Sequence, residues 1–253
     1  MNAELTTWFL VFTRVGAMLS VLPMFSMRTI PIQLRIGLGA LIAFLVAPML
    51  PVGVAEPGSV WTLARLMFAE ASIGLLLGFV CRFVFVALEI AGGFVATDMG
   101  LTLPQEFSSL TGGNAMAPGL ALYWLALMLL LNLDLHHWMI AGFERSYTLV
   151  PMGGAHLSET LLLEVVARSA KIFVIALQIA APVMAVSFLI TLVFAVLSRA
   201  VPQMNVFSES FPVRTLAGLL TFGLTCTFMA QHIANYLRRL PEDMLSVARL
   251  AAG

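Results

Sequence analysis

The strongest constraint in this sequence is a set of long apolar runs that carry no charge. Three of these runs are long enough to cross a membrane as a helix: residues 36–55, 172–198 and 215–237. Hydrophobic residues make up 60% of the 253-residue chain and charged residues 10%, whereas an ordinary soluble domain has about 45–50% and about 25%. We therefore expect an all-α, multi-helix, membrane-associated protein. The predicted helical segments are 6–25, 31–52, 61–97, 116–141, 168–197 and 213–237.

Four charged residues interrupt these apolar segments. Arg14 lies in the first segment, and Glu70, Arg82 and Glu89 lie in the segment 61–97. A charge at the centre of a membrane helix costs at least about 2.5–3.5 kcal/mol, so such residues normally face protein or water. A continuous helix over 61–97 would be about 55 Å long, against about 30 Å for the hydrocarbon core. We expect the four charges to pack against other chains, and this segment not to be one simple crossing.

Two glycines in the same segment have the spacing of a helix-packing motif. Gly74 and Gly78 stand four residues apart, which lets two helices approach closely. Glycine is also common in membrane helices without any such role. The sequence leaves both interpretations open.

Motifs for catalysis and for ligand binding are absent from the sequence. It contains no G-x-S-x-G, no H-E-x-x-H and no Gly-Lys-Ser or Gly-Lys-Thr phosphate loop. His136 and His137 are adjacent, which on a helix directs them about 100° apart instead of forming the i, i+4 pair of a zinc site. Basic and acidic residues number 13 each, so nucleic acid has no basic surface to bind. We expect no catalytic residue, no metal, no cofactor and no nucleic-acid partner.

A segment rich in helix-breaking residues separates two of the apolar segments. Residues 98–118 read DMGLTLPQEFSSLTGGNAMAP and include Pro104, Gly112, Gly113 and Pro118. These residues exclude a regular helix across the whole segment. The segment is either an ordinary surface loop or, at membrane depth, a loop that is buried in protein or lines an aqueous lumen.

The turn between the last two apolar runs, residues 198–214, concentrates polar residues and prolines. Its run RAVPQMNVF, followed by FPVR, resembles the corresponding loop of the FliR family, which is called SctT in virulence injectisomes. Two other stretches fall at positions that fit this family, TRVGAMLSVLPMFSMRTIPIQLRIGLGALIAFLVAP near the N-terminus and GGFVATDMGL before the central segment. The resemblance extends over nearly the whole chain, about residues 5–240.

The resemblance implies a subunit of the type III secretion export gate, which serves flagellar protein export across the bacterial inner membrane. It implies assembly with FliP-like and FliQ-like subunits into a hetero-oligomeric helical ring, contact with an FlhB-like switch protein, and passage of unfolded export substrates. Residues 1–165 would form a FliP-like part, and residues 166–253 a FliQ-like hairpin with its tip at 198–214. Much of the assembled gate in the flagellar basal body would lie on the periplasmic side.

The resemblance also assigns roles within the two irregular segments. Residues 100–118 would be the plug of the closed pore, with bulk and mobility supplied by Phe107, Leu110, Gly112, Gly113 and Met116. Pro202 and Pro212 would end the arms of the hairpin. The tip would contact partners through Arg199, Pro202, Gln203, Asn205, Phe207 and Arg214. The alternative is a stand-alone multi-helix transporter or channel, which would act without such partners and usually contains an internal repeat.

Overall fold

The computed structural model describes residues 3–26, 30–50, 59–101, 117–156, 158–201, 203 and 205–252. Within these residues the regular structure is helical, which confirms the all-α prediction. In chain order the helices are α1 (Ala3–Val21), α2 (Ile32–Val46), a short 3-10 helix (Ala47–Met49), α3 (Val60–Asp98), α4 (Ala117–Asn132), α5 (Leu135–Leu149), α6 (Glu159–Ala200), α7 (Val206–Leu237) and α8 (Leu240–Ala252).

The apolar segment 116–141 is not the single helix that its hydrophobicity predicts. It divides into α4 and the beginning of α5, whose axes are bent by 73°. Asp134 separates them in the left-handed region with φ of 53°. A residue in this conformation cannot continue a right-handed helix, and aspartate tolerates it better than most side chains do. The prediction is therefore wrong at this point because one polar residue redirects the chain.

The segment 61–97 belongs to α3, an uninterrupted helix of 39 residues. At 1.5 Å per residue it is about 58 Å long, nearly twice the thickness of the hydrocarbon core. In its most apolar window 61% of the residues are buried inside the chain, against 22% for α6 and 17% for the span that contains α2. The chain itself thus covers most of this window of α3, whereas most of the corresponding windows of α2 and α6 are not buried.

The last two apolar runs form the long helices α6 and α7, and the connection between them is shorter than the predicted tip. Arg199 belongs to the last turn of α6, while Glu209 and Arg214 belong to α7. Pro212 lies inside α7 and does not end it, which corrects the expected role of this proline. Its missing N–H removes only the bond to the carbonyl of Ser208, in the first turn of the helix, so the helix persists. Pro202 lies outside the described residues.

A further helix, α8, follows in the region that the apolar pattern leaves as a tail. Its side chains at 240, 244, 247, 248 and 251 are buried, which is the spacing of one helical face. Arg168 of α6 holds this helix by contacts of 2.6 Å to Asp243 and 2.8 Å to Ser246. A main-chain hydrogen bond also attaches α8, because the N–H of His156 donates to the carbonyl of Ala251 at 2.9 Å.

The chain forms two compact units, each with contributions from distant parts of the sequence. The first comprises Met1–Phe83, Leu131–Ser169 and Leu237–Gly253, and the second Val84–Leu130 and Ala170–Tyr236. The first unit contains α1, α2, α5 and α8, and the second contains most of α4 and α7. The predicted boundary at residue 165 separates a FliP-like part from a FliQ-like hairpin. It is a statement about similarity to those proteins, which the two compact units do not test, so it stays a prediction.

Four helical stretches of the described chain are long and apolar enough to cross a membrane, or five if the bent pair α4–α5 forms one span. The four are Ile32–Met49, Val60–Asp98, Glu159–Ala200 and Ser208–Ala252. Helix α1 is not among them. The chain is therefore built for a membrane, with fewer candidate spans than apolar segments.

Candidate functional site

A buried ion pair lies at the centre of the first unit. The guanidinium of Arg14 donates from Nε to Oε2 of Glu70 at 2.6 Å and from Nη2 to Oε1 at 3.1 Å. Both side chains are essentially inaccessible, with 0% and 1% of their surface exposed. This two-pronged geometry is the strongest arrangement that arginine and a carboxylate can form.

The remaining polar atoms of the pair are bonded to α5 and to the residues that follow it. Nη1 of Arg14 donates to the hydroxyl of Ser146, and Nη2 donates to the carbonyl of Val150, both at 3.2 Å. The main-chain N–H of Gly153 donates to Oε1 of Glu70 at 2.9 Å. The guanidinium carbon also lies 3.8 Å from the centre of the Tyr147 ring. We call these residues the Arg14 cluster; it ties α1, α3 and α5 together.

The Arg14 cluster corrects the expectation that Arg14 and Glu70 pack against other chains, since the chain itself supplies their partners. Close helix approach makes the pairing possible. A Cβ atom on Gly74 would collide with the main-chain carbonyl of Arg14, and one on Gly78 would lie 2.7 Å from that of Met18. The glycine pair therefore serves helix packing, which decides between the two interpretations that the sequence left open.

The other two charges of α3 differ from this pair. Arg82 is half-buried and Glu89 is exposed. Neither forms an ion pair within the described ranges of the chain. Packing of Arg82 and Glu89 against partner chains stays a prediction.

The predicted plug residues Phe107, Leu110, Gly112, Gly113 and Met116 lie outside the described residues. The chain on their N-terminal side is held by α7. The hydroxyl of Thr215 donates to the carbonyl of Met99 at 2.7 Å, and Gly218 leaves room for the Met99 side chain. Gly100 has φ of 72°, and a Cβ atom there would lie 2.5 Å from the Phe211 ring. We call this contact the loop root; sequence reasoning missed it because nothing local links residue 99 to residue 215.

The chain on the C-terminal side of the same segment is also closely packed. Gly119, in the first turn of α4, lies against Gly92 of α3 so tightly that a Cβ atom on Gly92 would overlap the main chain of Gly119. Gly93, its neighbour, has open space around it. Main chains thus meet directly at this end of the segment.

The described residues of the predicted tip differ in their exposure and in whether they belong to a helix. Arg199, Gln203 and Asn205 are exposed, which fits contact with a partner. Asn205 also begins α7, because its main-chain carbonyl accepts from the N–H of Glu209 at 3.1 Å and its side chain accepts from that of Ser208 at 3.4 Å. Arg214 is half-buried within α7. Pro202 and the side chain of Phe207 are outside the described part.

The corner between α4 and α5 brings together the two histidines that the sequence predicts to diverge. The rings of His136 and His137 lie 4.0 Å apart between centres, and ligand atoms of Asp134, His136 and His137 all fall within 4.8 Å of one another. Both histidines lie in the first turn of α5 as direct neighbours, so they do not form the i, i+4 pair of a zinc helix. The side chains of His137 and Asp134 are 70% and 74% exposed, so this is a loose surface corner and not an enclosed site.

Comparison with known proteins identifies the family. Residues 5–240 match the family described as bacterial export proteins, family 1. The chain is 30% identical over 245 residues to flagellar biosynthetic protein FliR of Pectobacterium carotovorum, which covers 94% of this chain and 92% of that protein. The protein of the same name in Bacillus subtilis is 30% identical over 249 residues, covering 96% and 95%. That of Escherichia coli is 27% identical over 245 residues, covering 96% and 94%. The chain therefore belongs to the family of bacterial export proteins, family 1.

Proposed function

We propose that this chain is a subunit of the type III export gate and builds its passage in a ring with FliP-like and FliQ-like subunits. The observation that carries the proposal is the family match over residues 5–240, together with full-length relatives named for flagellar biosynthesis. The span-capable helices suit a membrane-embedded part of the flagellar export apparatus. Because this family is one of export proteins and not of enzymes, the chain serves transport and catalyses no reaction.

Co-isolation tests the proposal directly. A chain tagged at its C-terminus, expressed from its own locus and extracted in mild detergent, is expected to bring down FliP-like and FliQ-like subunits in fixed ratio. Deletion of its gene should stop filament or needle assembly. A chain that isolates alone or only with copies of itself, and that moves a solute into vesicles, would instead be a stand-alone transporter.

The exposed apolar faces of α6 and α7 support assembly in a ring. Large side chains on these helices, including Phe188, Leu216 and Phe228, have between 62% and 71% of their surface exposed in the single chain. Such an extent of exposed apolar surface needs lipid or protein to cover it. In the proposed inner-membrane gate, which lies largely on the periplasmic side, neighbouring subunits cover much of it.

The tip is the proposed contact with the FlhB-like switch protein at the cytoplasmic mouth. Exposure of Gln203 and Asn205 supports this assignment. Because Asn205 begins α7, its replacement by alanine would also remove a helix cap, which is worth about 0.5–2 kcal/mol. The better variant combines Gln203→Ala with Asn205→Ser, since serine retains a capping oxygen. We expect an assembled gate with reduced export; loss of assembly would make the tip a structural element only.

The segment 100–118 is the proposed plug of the closed gate. Its support is the apolar bulk and the lack of basic residues in the sequence, which suit a seal that does not attract anions. Deletion of residues 106–113 leaves the loop root and the Gly92–Gly119 contact in place, so the flanking helices should persist. We expect ion leakage to rise in cells that carry the altered gate. Unchanged leakage through a fully assembled gate would assign closure to other subunits.

A further inference from the structure

A group of polar side chains lies along the seam between α6 and α7, two helices of membrane length. The hydroxyl of Tyr236 donates to Oε1 of Gln178 at 2.9 Å, and Nε2 of His232 lies 3.2 Å from the same oxygen. Beside this triad runs a groove of about 560 Å³. Its polar lining is completed by Thr225, Gln231 and Asn235. We call it the amide groove.

The amide groove retains hydrogen-bonding groups that the chain does not use. Oε1 of Gln178 accepts from the Tyr236 hydroxyl and lies 3.2 Å from Nε2 of His232, while the NH₂ group of Gln178 makes no bond to the described residues. Pro182, which also lines the groove, has no N–H, so the main-chain carbonyl of Gln178 loses its helical donor. Gln231 and Asn235 are exposed, and within the described chain their side chains have no hydrogen-bond partner. Donors and acceptors therefore face outward together.

The surroundings of the groove indicate what covers it. Lipid tails offer no hydrogen bonds, so exposed amides on a membrane helix normally face protein or water. The rim contains Phe228, which is 71% exposed. On the same two helices Leu224 is 71% and Leu177 47% exposed. A water-filled lumen would leave this rim wet, whereas a packed helix would bury the rim and satisfy the amides at once. Polar groups inside an apolar rim are the usual composition of contacts between membrane helices.

We propose that the amide groove receives one helix of a neighbouring gate subunit, and that this helix presents an Asn, Gln, Ser or Thr side chain to it. Such side chains are neutral and can donate and accept together, so they match both the free main-chain carbonyl of Gln178 and the free NH₂ group of its side chain. A lysine or an arginine would leave the NH₂ group unpaired, since it accepts no hydrogen bond. The proposal rests on the proposed function, because it requires a gate built from several subunits.

The first test replaces the outward amides and leaves the triad intact. Gln231→Leu combined with Asn235→Leu removes the hydrogen bonding of both side chains, and Gln33→Leu, at an exposed amide of α2, is the matched control. Interhelical hydrogen bonds in membranes contribute modestly, so recovery of the intact gate in detergent should fall about three- to tenfold, with the control unchanged. Full recovery of the double variant with normal export would mean that lipid covers the groove. Full recovery with altered export or leakage would mean that water does; either result overturns the proposal.

A labelling experiment tests the same surface without depending on stability. In a Cys226→Ala background, which removes the exposed native thiol, Asn235→Cys should resist a water-soluble maleimide in the assembled gate and react in the isolated chain. It should also form a crosslink to a neighbouring subunit with a short bifunctional reagent. Ready labelling in the assembled gate would refute the proposal. If the unmodified chain isolates without any gate subunit, the proposed function fails, an outcome that is visible before any groove variant is made.

Discussion

The Arg14 cluster and the amide groove both place polar side chains among apolar helices, but they differ in whether the chain itself supplies the hydrogen-bond partners of those side chains. In the cluster, each charged group has its partners inside the chain, and less than 2% of either side chain is exposed. In the groove, Gln178 is bonded but Gln231 and Asn235 face outward on an open seam. The first arrangement is complete in one chain, and the second is not.

This difference separates polar groups that hold a membrane subunit together from polar groups that prepare it for assembly. A buried charge that loses its partner has no water to replace it, so a cluster must be complete before the chain is stable. An exposed amide carries no charge, so it costs much less while it is unpaired and can remain so until a neighbour packs against it. Sensitivity to substitution should follow the same division: cluster variants should affect the chain itself, and groove variants should affect the assembled gate.

The largest effect is expected from Glu70→Gln, which leaves the Arg14 charge buried without a counterion. Breaking a buried pair in this way costs about 3–5 kcal/mol. The chain should become nearly undetectable in membranes by quantitative immunoblot, whereas Glu144→Gln, at an exposed acid of α5, should accumulate normally. Replacing both partners, Arg14→Met with Glu70→Leu, should restore part of the lost abundance. Normal abundance of Glu70→Gln would remove the contrast between the two regions.

A smaller loss is expected from Gly74→Ala, at the close approach of α1 and α3. The added Cβ atom would collide with the main-chain carbonyl of Arg14, and overpacking of this kind costs about 1–3 kcal/mol. Gly37→Ala is the matched control, because nothing lies within 4 Å of its position. The control should be neutral or slightly stabilising. Thermal midpoints of the purified gate compare the two, and equal midpoints would show that the helices are not locked by this glycine.

The contact of Gly92 with Gly119 permits the same comparison between adjacent residues of the second unit. Gly92→Ala places a methyl group into the main chain of Gly119, whereas Gly93→Ala meets open space. We expect Gly92→Ala to lower the thermal midpoint by an amount similar to that of Gly74→Ala. If Gly93→Ala is the more harmful of the two, a partner chain must cover that face of α3 in the gate.

An effect of about 0.5–1.5 kcal/mol is expected from Thr215→Val, which removes the hydroxyl that bonds to Met99 at the loop root. Thr221→Val is its control, because the hydroxyl of Thr221 bonds only to the carbonyl of Ala217 in its own helix. Assembly should survive in both variants. If the loop root positions the plug, conductance of the idle gate should rise in Thr215→Val alone.

The smallest effect on the chain is expected from Gln178→Leu in the amide groove. Leucine is well tolerated on an exposed face of a membrane helix, and the lost bonds to Tyr236 and His232 are partly exposed. The free energy of unfolding should change by no more than about 0.5–1 kcal/mol. The abundance of the chain should therefore stay close to the original by the same immunoblot. A loss as large as that of Glu70→Gln would place the groove with the internal cluster and end the distinction between them.

Much of the architecture could be predicted from sequence because it depends on local composition. Long apolar runs predict α2, α3, α6 and α7. Other features depend on single residues whose effect is not visible in a pattern. Asp134 splits one predicted helix in two, while Pro212 fails to end another because it lies close to the start of α7.

The sequence by itself determined a helical, membrane-associated chain, the charges it must accommodate and the export family to which it belongs. Only the tertiary structure decided where those charges go: Glu70 is 56 residues from Arg14, and Ser146 is 132 residues away. The physical reason is that helices which are apolar all round carry no periodic signal for the side that faces a neighbour. Gly74 and Gly78 set that side by letting two backbones meet, and the meeting of two backbones is a property of the folded chain.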